Sequence, residues 1–316
     1  MRALLVVNPN ATTTTARGRD ILVRALRSQV ELEVAYTEHR GHAADLARDA
    51  ARAKVDLVVT LGGDGTVNEA VNGLLTADAG PAADRADERP ALAVVPGGST
   101  NVFARALGLP GDWAEGTSVI LEALREGRTR TVGLGRADDR YFTFCAGMGI
   151  DAEVVRRVEQ ARTKGAISKP MLYLRHIAMQ YFKDVVGPGR AVPSLTLERP
   201  GEPAESGLAW TLVQNTAPWT YLGSRPVNPN PLASFDAGLD ILALKVLKLP
   251  STTRTVTQIL SRHPNPRGKQ MIRLHDLAGF TVRSASPVAL QVDGDYLGEC
   301  DKLEFASVPG ALRVVC

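Results

Sequence analysis

Three glycines and a carboxylate share one tight turn, Gly62-Gly63-Asp64-Gly65-Thr66, and Asn68 and Glu69 follow within the next few residues. Glycine takes positive φ readily and lets a backbone approach a ligand closely. The N–H groups at a helix start suit a phosphate. An aspartate in such a cradle would repel the phosphate unless a Mg²⁺ ion or a protonatable hydroxyl lies between them. With Thr66, Asn68 and Glu69 in that order, the stretch reads as a phosphate-binding turn rather than an ordinary glycine turn with an Asp cap. A second stretch, Pro96-Gly97-Gly98-Ser99-Thr100-Asn101, has the same character, with Ser99 and Thr100 as expected helix caps.

Both turns need a strand before them and a helix after. Asp56–Leu61 and Leu92–Val95 are apolar runs of the kind buried in parallel sheets. Val67, Ala70, Val71, Leu74 and Leu75 recur at helical spacing after the first turn, and Val102–Leu107 follows the second. Upstream, Ala3–Val7 and Leu32–Tyr36 read as strands. The Thr12–Thr15 run offers caps for a helix carrying Ile21, Leu22, Ala25 and Leu26, and Ala43–Ala53 reads as a second helix. Strand and helix alternate, which predicts a right-handed, doubly wound parallel sheet. Gly-rich turns at the carboxyl ends of such strands form one ligand cleft. A further helix is expected over Trp113–Leu124, and Thr76–Pro90 reads as an exposed loop.

From Thr129 onward the pattern changes to short alternating runs separated by turn signals, among them Tyr141–Ala146, Trp210–Val213, Ile241–Leu247, Gly279–Val282 and Val288–Val292. That predicts an antiparallel sandwich, hence two domains, 1–129 and 130–316. Gly147-Met148-Gly149-Ile150-Asp151-Ala152 follows a strand and opens a helix, but no second strand ending in an acid stands about twenty residues on, so it is not a dinucleotide fingerprint. His39 and His42 lack a Cys or carboxylate to complete a zinc set and read as solvated. The amphipathic stretch Met171–Val186 reads as a core-facing helix. With Arg156, Arg157, Arg162, Lys164 and Lys169 upstream, its alternative role is a lid touching an anionic membrane.

A net charge of +3 argues against a nucleic-acid partner, while leaving room for a local basic patch. Three scattered cysteines, Cys145, Cys300 and Cys316, point to a reducing compartment. The chain enters its first strand at once and holds no long apolar run. The expectation is a cytoplasmic protein without a secretory leader, meeting any membrane peripherally. A homodimer stays open.

Gly-Gly-Asp-Gly-Thr-Val-Asn-Glu at 62–69 followed by Pro-Gly-Gly-Ser-Thr-Asn-Val-Phe-Ala at 96–104 resembles the diacylglycerol kinase catalytic family, which includes bacterial lipid kinases and sphingosine kinases. The resemblance implies transfer of the γ-phosphoryl of ATP, with Mg²⁺, to a lipid hydroxyl, diacylglycerol above all. It implies that Asn8, in the Asn-Pro turn, lies near the nucleotide and that Thr37, in a Thr-x-x-x-Gly-x-Ala setting with Gly41 and Ala43, touches it. It matches Asp236 to an Asp that binds a structural Mg²⁺, though the following glycine stands one position later here. The family carries Asp-Gly-Glu where this chain has Asp293-Gly294-Asp295, so the general-base role falls to Asp293 or Asp295 across the cleft from Asp64. The final strand, about 311–316, would return to the first domain. Two alternatives are an NAD kinase, which shares the first turn, and a catalytically silent nucleotide- or lipid-binding protein.

Overall fold

A computed structural model describes residues 1–11, 15–77, 86–163, 194–245 and 248–316, which form two compact units. The first comprises Met1–Leu134 with Pro309–Cys316, and the second Gly135–Val308.

In the first unit, strands β1 (Arg2–Val7), β2 (Glu31–Tyr36), β3 (Leu57–Gly62) and β4 (Ala91–Pro96) are parallel, in the order β2-β1-β3-β4. β3 and β4 are buried along their whole length, as their unbroken apolar sequences require. Helices α1 (Ala16–Arg27), α2 (His42–Arg52), α3 (Asp64–Leu75), α4 (Val102–Ala106) and α5 (Trp113–Glu126) connect them. Leu22 and Leu26 of α1 and Ile120 and Ala123 of α5 close over Leu5, Val59 and Val95. Thr15 caps α1 by accepting from Gly18 N at 3.1 Å, and Asp112 caps α5. α2 and α3 cross closely: a Cβ on Gly73 would stand 2.1 Å from Ala44 O, so only glycine fits there. The end of the chain adds a fifth parallel strand beside β4, with Val314 opposite Leu92. The Arg89 guanidinium donates to Ala311 O at 3.3 Å, and that of Arg313 to Arg89 O at 3.2 Å.

The second unit is antiparallel, with one sheet running β14-β13-β10-β7-β15-β16. These strands are β7 (Cys145–Gly149), β10 (Trp210–Gln214), β13 (Leu239–Leu244), β14 (Met271–Leu277), β15 (Gly279–Val292) and β16 (Asp295–Val314), whose last residues belong to the first unit. β5 (Arg130–Ala137) ends in this unit against β6 (Arg140–Phe142), and β8 (Leu195–Glu198) and β9 (Glu205–Leu208) extend it. β15 pairs with β8 over Thr281–Ser284 and with β7 over Leu290–Val292, with a register shift between Arg283 and Val288. Such irregularities bend a strand, and here they fold the sheet over a core of Phe142, Met148, Leu197, Ile241, Val282 and Phe305. The runs Gly279–Val282 and Val288–Val292 are therefore one strand rather than two. Tyr141–Ala146 is broken at Thr143–Phe144. Helix α6 (Ile150–Thr163) follows β7 as expected. Several elements carried no clear sequence signal: β9, the hairpin β11 (Thr220–Leu222) and β12 (Arg225–Val227), helix α7 (Leu249–Ile259) and most of β16. Thr12–Thr14, Lys164, Lys169 and the stretch Met171–Val186 lie outside the described residues.

Candidate phosphate and acid–base sites

The sheet order makes β1 and β3 the neighbours from which the chain winds in opposite directions, and their carboxyl ends carry Asn8 and Gly62. Ligands bind at such switch points in open α/β sheets. Asn8 N donates to Leu61 O at 3.0 Å, and its Nδ2 donates to Thr66 Oγ1 at 3.1 Å, so β1 and the start of α3 are tied together. Thr37 at the end of β2 donates its N–H to Val7 O.

The two Gly-rich turns touch each other backbone to backbone. Gly97 N donates to Gly62 O at 2.8 Å. A Cβ on Gly98 would stand 2.6 Å from Gly63 Cα, and one on Gly97 would stand 2.9 Å from Gly62 N. Neither position has positive φ, so close approach rather than backbone freedom is what requires glycine at 97 and 98. Asn101 folds its side chain over the second turn. Its Oδ1 accepts from Gly98 N and its Nδ2 donates to Gly98 O, both at 2.8 Å, with its own backbone left-handed at φ 51.

Asp64 explains itself in this setting. Its two carboxylate oxygens accept from Val102 N at 3.0 Å and Phe103 N at 3.1 Å, which makes it the cap of α4. Ser99 and Thr100 do not cap that helix. Ser99 is exposed, and the N-cap position is Asn101, which makes no side-chain capping bond. Glu69 does the same for α2, accepting from Gly41 N at 2.8 Å and Ala43 N at 3.2 Å. Two carboxylates on α3 thus fill the starts of two neighbouring helices, where anions are favoured. The first N–H groups of α3 itself, from Asp64 onward, have no intrahelical acceptor by geometry, and they sit among Gly62, Gly63, Gly65, Gly97 and Gly98. Asn68 is buried, bonded by Asn72 Nδ2 at its backbone O and at Oδ1.

Asp64→Asn should replace one charged acceptor with an amide donor facing a backbone N–H. A loss of about 1–2 kcal/mol is expected, read as a lower melting temperature, together with reduced activity. An unchanged melting temperature would contradict the capping role.

In the second unit Asp293, at the tip of the β15–β16 hairpin with φ 49, is 4% exposed. Its Oδ2 accepts from Thr143 N at 2.7 Å and Thr143 Oγ1 at 2.8 Å, and its Oδ1 accepts from Phe144 N and Cys145 N, both at 3.0 Å. A carboxylate offers about four lone-pair sites, and all are used. Thr143 was not foreseen as part of a site, because nothing in its local sequence marks it as a partner for a residue 150 positions away. Asp295 begins β16 and is half-buried. Beside it, Arg156 of α6 stands 5.9 Å over the Tyr296 ring and pairs with Glu153 at 2.7 Å and Glu299 at 3.3 Å. Its guanidinium pKa is raised, chiefly by the hydrogen bond to Glu153. Arg157 also pairs with Glu153. The charges of Arg156 and Arg157 are therefore engaged by carboxylates within the unit.

Asp236 is exposed on a turn in which Ala237 N donates to Ser234 O. The turn runs into Asp240, which is buried, with its pKa raised by burial and opposed by His275 Nδ1 at 2.6 Å and Asp276 N at 3.2 Å. No group of three or more His, Cys, Asp or Glu placed to hold a metal occurs among the described residues. Mg²⁺ commonly takes one or two carboxylates and completes its shell with water and phosphate oxygens. Single carboxylates such as Asp236 and Asp64 fit that habit.

A parallel sheet with paired Gly-rich turns over its carboxyl edge is a frame suited to a phosphate-bearing ligand, and the comparisons narrow it. Residues 2–137 match the diacylglycerol kinase catalytic domain. The chain is 28% identical to diacylglycerol kinase from Bacillus subtilis over 307 residues, covering 94% of this chain and 90% of that protein. The structure of a diacylglycerol kinase from Bacillus anthracis superposes with a TM-score of 0.70 at 20% identity, over 99% of this chain and 96% of that one. An NAD kinase from Archaeoglobus fulgidus, in complex with ATP, shares the fold more distantly, with a TM-score of 0.53 at 12% identity over 100% of this chain and 94% of that one. Over residues 2–137 the chain is similar to the catalytic domain of the diacylglycerol kinases, and it is an enzyme of the lipid kinase class.

Proposed function

We propose that this protein transfers the γ-phosphoryl group of ATP to the hydroxyl of a membrane lipid alcohol, with diacylglycerol as the acceptor. The observation that carries the reading is the pair of touching Gly-rich turns around the start of α3, with the starts of α2 and α4 already filled by Glu69 and Asp64. Residues 1–129, joined by the returning strand at about 311–316, are read as the ATP-binding domain and the rest of 130–316 as the lipid domain.

In this reading the N–H groups of Gly63, Asp64, Gly65 and Thr66, with Gly97–Asn101, hold the phosphates. Asn8 and Thr37 line the nucleotide at the ends of β1 and β2. Glu69 shapes the Thr37–Ala43 loop through its two bonds to Gly41 and Ala43. Asp64 holds the second turn and is a carboxylate that would meet a Mg²⁺ ion at the phosphates, and Asp236 is the ligand for a structural Mg²⁺. Bound Mg²⁺ would offset charge on the phosphates. Between the two candidate bases, Asp295 takes the proton from the lipid hydroxyl, because Asp293 has no acceptor site left and serves to fix the hairpin.

The test is purified protein with ATP and Mg²⁺, offered diacylglycerol, other lipid alcohols and NAD, with products identified by mass. Phosphatidic acid formed only with Mg²⁺ supports the reading. Phosphorylation of NAD as fast as any lipid would replace it with an NAD kinase, and no turnover on any acceptor would leave a silent binding protein.

A further inference from the structure

We propose that helix α7 and the loop that follows it form a face that docks on an anionic membrane surface. Its purpose rests on the lipid kinase reading, while charge and exposure carry the inference itself. Residues 241–275 contain seven Lys and Arg and no Asp or Glu. The chain has 37 Lys and Arg against 34 Asp and Glu, so everything outside this segment is acidic on balance. Lys248, Arg254, Arg262, Arg267 and Lys269 are all exposed, as is His263. Among the described residues only Lys245 of the seven forms an ion pair, with Glu205 at 3.9 Å. Arg273 instead bonds Asn265 Oδ1 and Pro266 O.

The face is held in shape. Ile259 of α7 packs with Val227 and Leu242, backed by Trp210, Trp219 and Met271. Arg267 N donates to Gln258 Oε1 at 3.0 Å, and Lys245 N donates to Gln270 O at 2.8 Å, which lays the loop 260–270 against the helix. Lys248, Pro250, Ser251 and Gln270 line a shallow cavity of about 210 Å³. The Arg225 guanidinium donates to Leu260 O and brings in the tip of the β11–β12 hairpin. Val256 on α7 is 45% exposed and Leu222 at the hairpin tip 36%. Apolar side chains set among unpaired cations suit the plane of a membrane interface, where the cations meet lipid phosphates and the apolar groups enter the headgroup boundary. A nucleic acid would use the cations alone and leave Val256 and Leu222 without a partner.

The test is sedimentation of the full chain with vesicles, without ATP or diacylglycerol. It should bind phosphatidylcholine vesicles containing phosphatidylglycerol, fail to bind phosphatidylcholine alone, and be released by high salt. The variant R254E/R262E/K269E should bind at least about tenfold more weakly, with its melting temperature and its activity on diacylglycerol in neutral detergent micelles unchanged. If that variant does not fold, R254Q/K269Q should still weaken binding at least about fivefold. Equal binding to both vesicle types, wild-type binding by a folded variant, or tighter binding to duplex DNA than to the anionic vesicles would overturn the proposal. Vesicle binding intact in a protein that phosphorylates no lipid would uphold the docking face and overturn the kinase reading alone.

Discussion

Asp293→Asn is expected to lower the melting temperature by on the order of 5–10 °C, whereas Asp295→Asn should leave it near wild type and lower kcat by about 10²-fold or more. The contrast follows from what each carboxylate touches. Asp293 is buried, and two backbone N–H groups, a third from Cys145, and the Thr143 hydroxyl all donate to it. An amide can accept only at its oxygen, so two of those donors would face an NH₂ group. Unsatisfied buried donors and a lost charged acceptor together cost about 3 kcal/mol. Asparagine tolerates the left-handed backbone that Asp293 adopts, so the substitution reports the carboxylate and not strain. Asp295 is only half-buried at the start of β16, so its carboxylate meets solvent and an amide in its place costs less in stability. Its loss should appear in kcat with the KM for ATP little changed. The reverse pattern, with kcat collapsing in a thermally normal Asp293→Asn protein, would exchange the two roles.

The second large effect concerns Gly98→Ala. The new methyl carbon would lie 2.6 Å from Gly63 Cα and 3.0 Å from Asn101 Oδ1, and neither neighbour is the loose end of a flexible chain. The turns must separate. A displacement near 1 Å at a site that positions reacting groups can cost about 10²-fold, so kcat/KM for ATP should fall by about that factor. Gly111→Ala is the control, since its nearest neighbour, Arg105 Cδ, would lie at 3.5 Å, an ordinary contact. If Gly98→Ala retains wild-type kcat/KM, the contact between the turns does not shape the site.

Much of this architecture was legible in the sequence, for identifiable reasons. Fully buried parallel strands such as β3 and β4 write themselves as continuous apolar runs, and Gly-rich turns mark their carboxyl ends. Thr15 acts as a cap within its own helix, which local sequence reports. What stayed hidden was chosen by tertiary structure. Asp64 caps α4, and Glu69 caps α2, across 38 and 28 residues. Ser99 and Thr100 were better local candidates, but they lost to a carboxylate arriving from the adjoining turn. β15 looked like two strands because Ser284–Pro287 interrupts the apolar pattern where the strand bends between partners. α7 escaped notice because its interior is rich in threonine, a poor helix former, and it is held by tertiary packing on Val227 and Leu242.

The strand that completes the first unit is synthesised long after the others in its sheet. β1 to β4 lie within residues 2–96, yet the strand beside β4 comes from Pro309–Cys316. At translation rates of about 5–20 residues per second, the outer edge of β4 stays unpaired for roughly ten seconds or more while the intervening chain emerges. An open edge of that kind invites pairing with another chain. Biogenesis of the first unit is therefore tied to completion of the second, and a fragment ending at Leu134 would carry the open edge permanently. Expressed alone, such a fragment should be recovered in aggregates, and a peptide of residues 309–316 supplied in trans should restore part of it to solution.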